Sequence, residues 1–351
     1  MPNSTLLGHT RQRQRLGALV RADSLPQALM FAGPAGIGKF TLAKMLATAL
    51  LCASRNTSAE SGGNSSSKFD GADSPLEQGC GTCQSCRLIE HGNHPDFHVI
   101  QALSRENSSV SEIRELLQNI SLRPFIGSKR IVIINDAEHL SVQVSNVLLK
   151  SLEEPRPNTY FILISANQFR LPKTLLSRCQ TWFFDNISDA DLRQILAAKI
   201  AAKEIPAELS RVDLDDLVVI ADGSLERISE ISADLDYWRE LSEHIAALEE
   251  SDISAISKHL GDLSKDRESL RRRLGLLRIF ARQKMLRSQS GKDQLPWAKL
   301  LANLLIAERL IFERNISAGY VLTASVLDFY DDSRAFTLPS SSAKLIDTFV
   351  V

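Results

Sequence analysis

The sequence predicts an α/β protein, with a parallel-sheet domain first and two helical domains after it. Three observations carry this. The apolar runs QALMFAG (27–33), RIVIIND (130–136) and YFILISA (160–166) have the length and composition of buried strands. Segments with helical spacing of apolar residues alternate with them, which argues for a parallel sheet covered by helices on both faces. From Ile187 onward the β-branched runs thin out, and the pattern is helical to the end.

Taken in order, QALMFAG leads into the glycine-rich turn GPAGIGKF (33–40) and then the helical pattern TLAKMLATALLC (41–52). Residues 53–79 are rich in Ser, Gly and Asn and nearly empty of large apolar side chains, so this stretch is expected to be a disordered insertion. HGNHPDFH reads as a turn into the strand FHVI (97–100). After RIVIIND comes a helix through VSNVLLKSLEE that stops before Pro155. The expected division is a sheet domain over 1–185, a small helical domain over 186–245 and a helical domain over 246–351.

With 351 residues, a hydrophobic fraction of 44% and a charged fraction of 24%, the chain has the composition of a globular protein of two or three domains. A formal net charge of -1 gives no global attraction to nucleic acid, so any DNA contact must come from a local patch or from neighbours in an assembly. No apolar run approaches the roughly 20 residues that span a bilayer, and the start MPNSTLLGHTRQRQRLGALV lacks a signal-peptide core. A cytoplasmic location without membrane partners is expected.

In GPAGIGKF the residues Gly33, Gly38 and Lys39 match a phosphate-binding loop, with Gly36 between them. Such loops wrap a phosphate with backbone N–H groups, and the following helix presents its positive end. Phe40 stands where a Ser or Thr hydroxyl should hold magnesium. Thr41 is no ready substitute, since one helical step turns a side chain by about 100°. Along IIND, Asn135 takes the usual metal-carboxylate position and Asp136 that of the catalytic acid. Two metal contacts are thus compromised. Asp136 reads equally as an N-cap for the helix after it, and the loop as a turn kept for packing.

Cys80, Cys83 and Cys86 form C-x-x-C-x-x-C, and Cys52 ends the helix after the loop. Four thiolates suit the tetrahedral preference of structural zinc. The intervening insertion is no obstacle, because loop-closure cost grows only logarithmically with length. An iron–sulfur cluster is the rival, but the ferredoxin run needs a further cysteine where Glu90 stands. Unligated thiols are the other alternative. His91, His94 and His98 are placed in the turn and strand rather than in the metal shell, and Cys179 is read as a small buried hydrophobe.

Together LPQALMFAGPAGIGK, CGTCQSC followed by HPD, IVIINDAEHLSVQVSNVLLKSLEEP and LPKTLLSRCQ resemble the clamp-loader branch of the AAA+ proteins, the loader subunits of bacterial DNA polymerase III. The likeness runs over about the first 185 residues. It implies an AAA+ phosphate-loop domain with a zinc module, a helical lid and a C-terminal collar. It further implies partnership with gamma/tau and delta subunits, and through that assembly with a sliding clamp and primed DNA. Arg178 of Ser177-Arg178-Cys179 would be an arginine finger acting on a neighbour's ATP site. The bland alternative is a surface arginine in a salt bridge. The family's second-domain sensor arginine is replaced by Glu226 in GSLERISE, with Arg227 one place late. The implied role is a stator without ATP hydrolysis or polymerase catalysis of its own, with ATP binding doubtful. An active gamma/tau-type ATPase is the alternative, which Phe40, Asn135 and Glu226 oppose. A DNA-binding zinc finger is a third, opposed by the lack of a basic recognition helix in CGTCQSCRLIEHG. The basic run RRRLGLLRIFARQKMLR is expected to present a solvated helix face.

Overall fold

The computed structural model describes residues 7–54, 76, 79–102, 113, 115, 117, 123–206, 209–211, 214–232, 267–288 and 290–325. The chain divides into two compact units, residues 1–195 with 223–226 and residues 196–222 with 227–351. The boundary expected near 245 and most of the Ser/Gly-rich stretch lie outside the described residues. Within that stretch Leu76 is described; it is buried, and its N–H donates to the Arg13 carbonyl at 2.9 Å.

The first unit is built on five parallel strands: β1 Ala28–Ala32, β2 Phe97–Gln101, β3 Arg130–Asn135, β4 Thr159–Ser165 and β5 Gln180–Phe183. Their order is β2-β3-β4-β1-β5. In register, Met30 faces Leu163 on one side and Thr181 on the other, and Val132 faces Phe161. Every residue of β1 and β4 is buried, as expected of central parallel strands covered on both faces. The edge strands β2 and β5 mix buried and exposed residues. The β5 edge is partly capped by Gln12, whose Nε2 donates to the Phe183 carbonyl at 2.9 Å.

Helices α1 Thr10–Arg21, α2 Lys39–Leu51, α3 Gln84–Glu90 and α4 Val142–Glu153 belong to this unit, as does the short α5 Lys173–Leu176. Ser141 caps α4 by accepting the Val144 N–H at 3.2 Å, an interaction worth about 1 kcal/mol. The helix ends at Glu153, with Glu154 as its C-cap just before Pro155. Val144, Leu148 and Leu152 pack from α4 onto Met30, Val132, Phe161 and Leu163 of the sheet. Each such buried aliphatic side chain contributes roughly 1.5–3 kcal/mol. Helix α1 and strand β5 are not marked by the apolar runs that predict the other elements. Leu16 is the deeply buried side chain of α1, whose helical face is otherwise rich in Arg and Gln, and β5 has only four residues.

Helix α6 Asp189–Ala201 runs across the division between the units. In the second unit α7 Leu214–Ala221, α9 Arg267–Arg287 and α10 Gly291–Phe312 share a core of Ile220, Leu274, Phe280, Trp297, Leu304 and Ile311. Several cations of the basic run are engaged rather than simply solvated. Arg271 lies 4.6 Å from the Phe312 ring, Lys284 lies 5.9 Å from Trp297, and Arg278 and Arg282 pair with Glu308 and Asp222. Helix α8, Leu225–Ser232, begins in the stretch grouped with the sheet. Among the described residues no helix is long and apolar enough to cross a membrane.

Candidate functional site

The glycine-rich loop 33–40 follows β1 at the carboxyl edge of the sheet, where the chain order reverses between β1 and β4, the kind of place where ligands of open α/β sheets bind. Gly38 caps α2 with φ 95°, and Gly36 has φ 70°. A Cβ on Gly36 would stand 2.2 Å from Ser224 Oγ and 2.4 Å from Glu226 Cβ, so glycine is required there for close approach as well as for backbone conformation.

The loop's carbonyls are taken up internally. Lys39 Nζ donates to the Gly33 carbonyl at 2.6 Å and to that of Pro34. Ser224 Oγ donates to Ala35 O at 2.8 Å, Leu225 N–H to Gly36 O at 3.0 Å, and His9 Nε2 meets Ile37 O at 2.7 Å. Lys39 is buried, which lowers its ammonium to about 8 even though Glu138, Asp136 and Glu226 act to raise it. Phe40 is half-buried in the first turn of α2.

Asp136 is brought to the same edge, at φ 54°. Its side chain makes no N-cap bond; Oδ2 accepts from Asn135 Nδ2 at 2.9 Å, and that amide also donates to Gln101 Oε1 at 2.9 Å. Burial, then the nearby Glu138, raises the Asp136 carboxyl above the ordinary carboxylate range. Sequence reasoning overlooked Glu138. Its Oε1 accepts the Ala166 N–H at 2.9 Å and ties the end of β3 to the end of β4, a link hidden by a separation of 28 residues.

Cys52, Cys80, Cys83 and Cys86 place their Sγ atoms within 4.8 Å of one another. The Cys52 and Cys83 sulfurs are 3.9 Å apart, close to the edge of about 3.8 Å that a tetrahedron with Zn–S bonds near 2.3 Å requires. Backbone N–H groups meet two of the sulfurs. Cys80 N–H donates to Cys52 Sγ and Cys83 N–H to Cys80 Sγ, both at 3.3 Å. Bonds from the Ser54 and Thr82 hydroxyls draw the Cys80 thiol down to about 5, whereas burial pushes Cys86 well above its ordinary range. Gly79 lets the chain pass beside the cluster, since a Cβ there would stand 2.6 Å from Cys86 Sγ. The donor set and its spacing therefore fit a tetrahedral metal held by these four residues.

The histidines stand apart from the four sulfurs. His91 Nδ1 meets the Arg87 carbonyl at 2.7 Å, His94 Nδ1 accepts from Asp96 N–H at 3.1 Å, and His98 lies in β2. Cys179 packs against the sheet core, and burial raises its thiol to about 12.

Arg178 follows α5 and is not part of the loop cluster. Its Nη2 pairs with Glu153 at the end of α4, and its Nη1 donates to the Thr174 carbonyl at 2.6 Å. Glu226 lies beside Gly36, while Arg227 pairs with Asp222 in the second unit.

A family described as "DNA polymerase III, delta subunit" matches residues 8–188. The chain is 31% identical over 189 residues to DNA polymerase III subunit tau/gamma of Haemophilus influenzae, covering 54% of this chain and 24% of that protein. It is 37% identical over 103 residues to subunit delta' of the same organism, covering 29% and 32%. With subunit delta' of Pseudomonas aeruginosa it shares 35% over 154 residues, 43% of this chain and 41% of the relative. The matched segments thus span less than half the length of these relatives. A DNA polymerase III gamma subunit-related protein of Thermotoga maritima aligns with a TM-score of 0.45 and 15% identity, over 91% of this chain and 99% of that one. Because the family match covers the whole parallel sheet together with the loop, the four clustered cysteines and Arg178, the chain belongs to the DNA polymerase III delta-subunit family of AAA+ clamp-loader proteins.

Proposed function

We propose that the chain is a delta-prime-type stator of the DNA polymerase III clamp loader, which supports loading of a sliding clamp onto primed DNA and completes a neighbour's ATP site with Arg178. The observation that carries this is Phe40, half-buried in the first turn of α2, where a phosphate loop that holds magnesium carries a Ser or Thr hydroxyl. Phe40 supplies no hydroxyl for magnesium, Asn135 supplies no charge, and Glu226 stands near the loop as a repelling carboxylate.

In this reading the four cysteines hold structural zinc, which would contribute folding energy and leave no open position for substrate. The proposed division is an AAA+ domain over 1–185, a lid over 186–245 and a collar over 246–351. Leu295, Leu305 and Ile306, exposed on α10, support a collar that packs against helices of gamma/tau and delta partners. An active gamma/tau-type ATPase is the second reading. It is favoured by the tau/gamma relatives, whose matched segments are longer than those of the delta' relatives.

ATP turnover by the isolated chain, measured with magnesium and primed DNA, tests the choice. Background activity is expected. Clear turnover abolished by Lys39→Ala would establish the motor and overturn the stator.

A further inference from the structure

Arg178 of the SRC motif and Glu153 of the LEEP motif are 25 residues apart in sequence and meet through Nη2 and Oε1. Nη1 of the same guanidinium donates to Thr174 O at 2.6 Å, with Ser177 Oγ at 3.5 Å. The side chains are 30% and 46% exposed. A pair this open to water contributes little to folding stability. Its effect is on freedom: the guanidinium is held at both terminal nitrogens, by a carboxylate from α4 and by the backbone of α5. Among the described residues Nη2 has Glu153 as its one acceptor, which leaves its second N–H for another oxygen.

We propose that Glu153 is a positioning residue for Arg178, holding the guanidinium in one orientation so that it meets a neighbour's nucleotide already ordered. This rests on the reading of Arg178 as a finger acting in trans. An arginine that stabilises charge developing on a phosphoryl group acts best when it need not be immobilised during the reaction. Ordering one long side chain is worth about two- to tenfold in rate. The opposite sign has a physical basis too, since a carboxylate that ties the finger down would slow the reaction and its removal would speed it.

The test is ATP turnover by the assembled loader, of verified subunit composition, carrying Glu153→Ala, Arg178→Ala or both. Glu153→Ala is expected to lower kcat about two- to tenfold with KM for ATP unchanged, and Glu153→Asp to recover part of the loss. Because Glu153 acts through Arg178, the double variant should be no slower than Arg178→Ala alone; a merely structural defect would add to it. An unchanged or raised kcat in Glu153→Ala, or additive losses in the double variant, overturns the positioning role. If Arg178→Ala itself leaves kcat unchanged, the finger reading falls and this inference falls with it.

Discussion

Arg130 and Asp96 form an ion pair that water scarcely reaches: Nη2 and Oδ1 stand 3.0 Å apart, with side chains 2% and 0% exposed. The carboxylate also accepts the N–H groups of Phe125 at 2.9 Å and Ile126 at 2.7 Å, and Arg130 Nη2 reaches the Arg123 carbonyl at 3.2 Å. The pair thereby fastens segment 123–126 to the start of β3. Removing one partner strands a buried charge, so Asp96→Ala is expected to cost about 3–5 kcal/mol in chemical denaturation. A loss below about 1 kcal/mol would mean that water or a rearranged backbone replaces the carboxylate.

Elemental analysis of protein purified without chelator should find close to one zinc per chain. Cys83→Ser should lower the melting temperature of the first unit, because structural metal binding is coupled to folding. Iron in place of zinc, no metal, or a melt indifferent to the substitution would refute the assignment.

Lys39 gives a pH signature. Its ammonium is lowered from 10.5 to about 8 in the fold by burial, so between those values the unfolded chain binds more protons than the native one. Stability contributed at this site therefore rises with pH from about 8 to 10.5, by at most about 3.4 kcal/mol. The comparison is with Lys39→Met, which cannot titrate. The wild-type chain should gain on the variant across that interval, and a constant gap would show that the lysine titrates normally.

The central strands β1, β3 and β4 are legible because strands covered on both faces must be apolar throughout, and ALMFA, RIVIIN and TYFILIS are nearly so. The cysteine cluster is legible because three of its four members lie within seven residues, a spacing visible in one dimension. Asp96 is not: in HPDF it looks like a turn residue, and its arginine lies 34 residues away. The Glu153–Arg178 pair and the contact of Glu138 with Ala166 are hidden for the same reason, since tertiary packing, not sequence spacing, makes them neighbours. Strand β5 is short and lies at a sheet edge, where burial alternates and leaves a weak pattern. The arginines of α9 show the converse: a charge run suggests a wet face, yet aromatic rings and carboxylates of its own unit occupy several of them.

Helix α2 has Gly38 at one cap and Cys52 at the other. With 13 residues it is about 20 Å long, and it is stiff over that distance. A rod whose far end carried a metal ligand, Cys52, could not slide along its axis or rotate without straining that metal's bonds. With a metal held by Cys52, Cys80, Cys83 and Cys86, that end of the helix would become the fixed footing against which the glycine loop is registered. Loosening that footing would let the loop shift although no residue of the loop itself had changed.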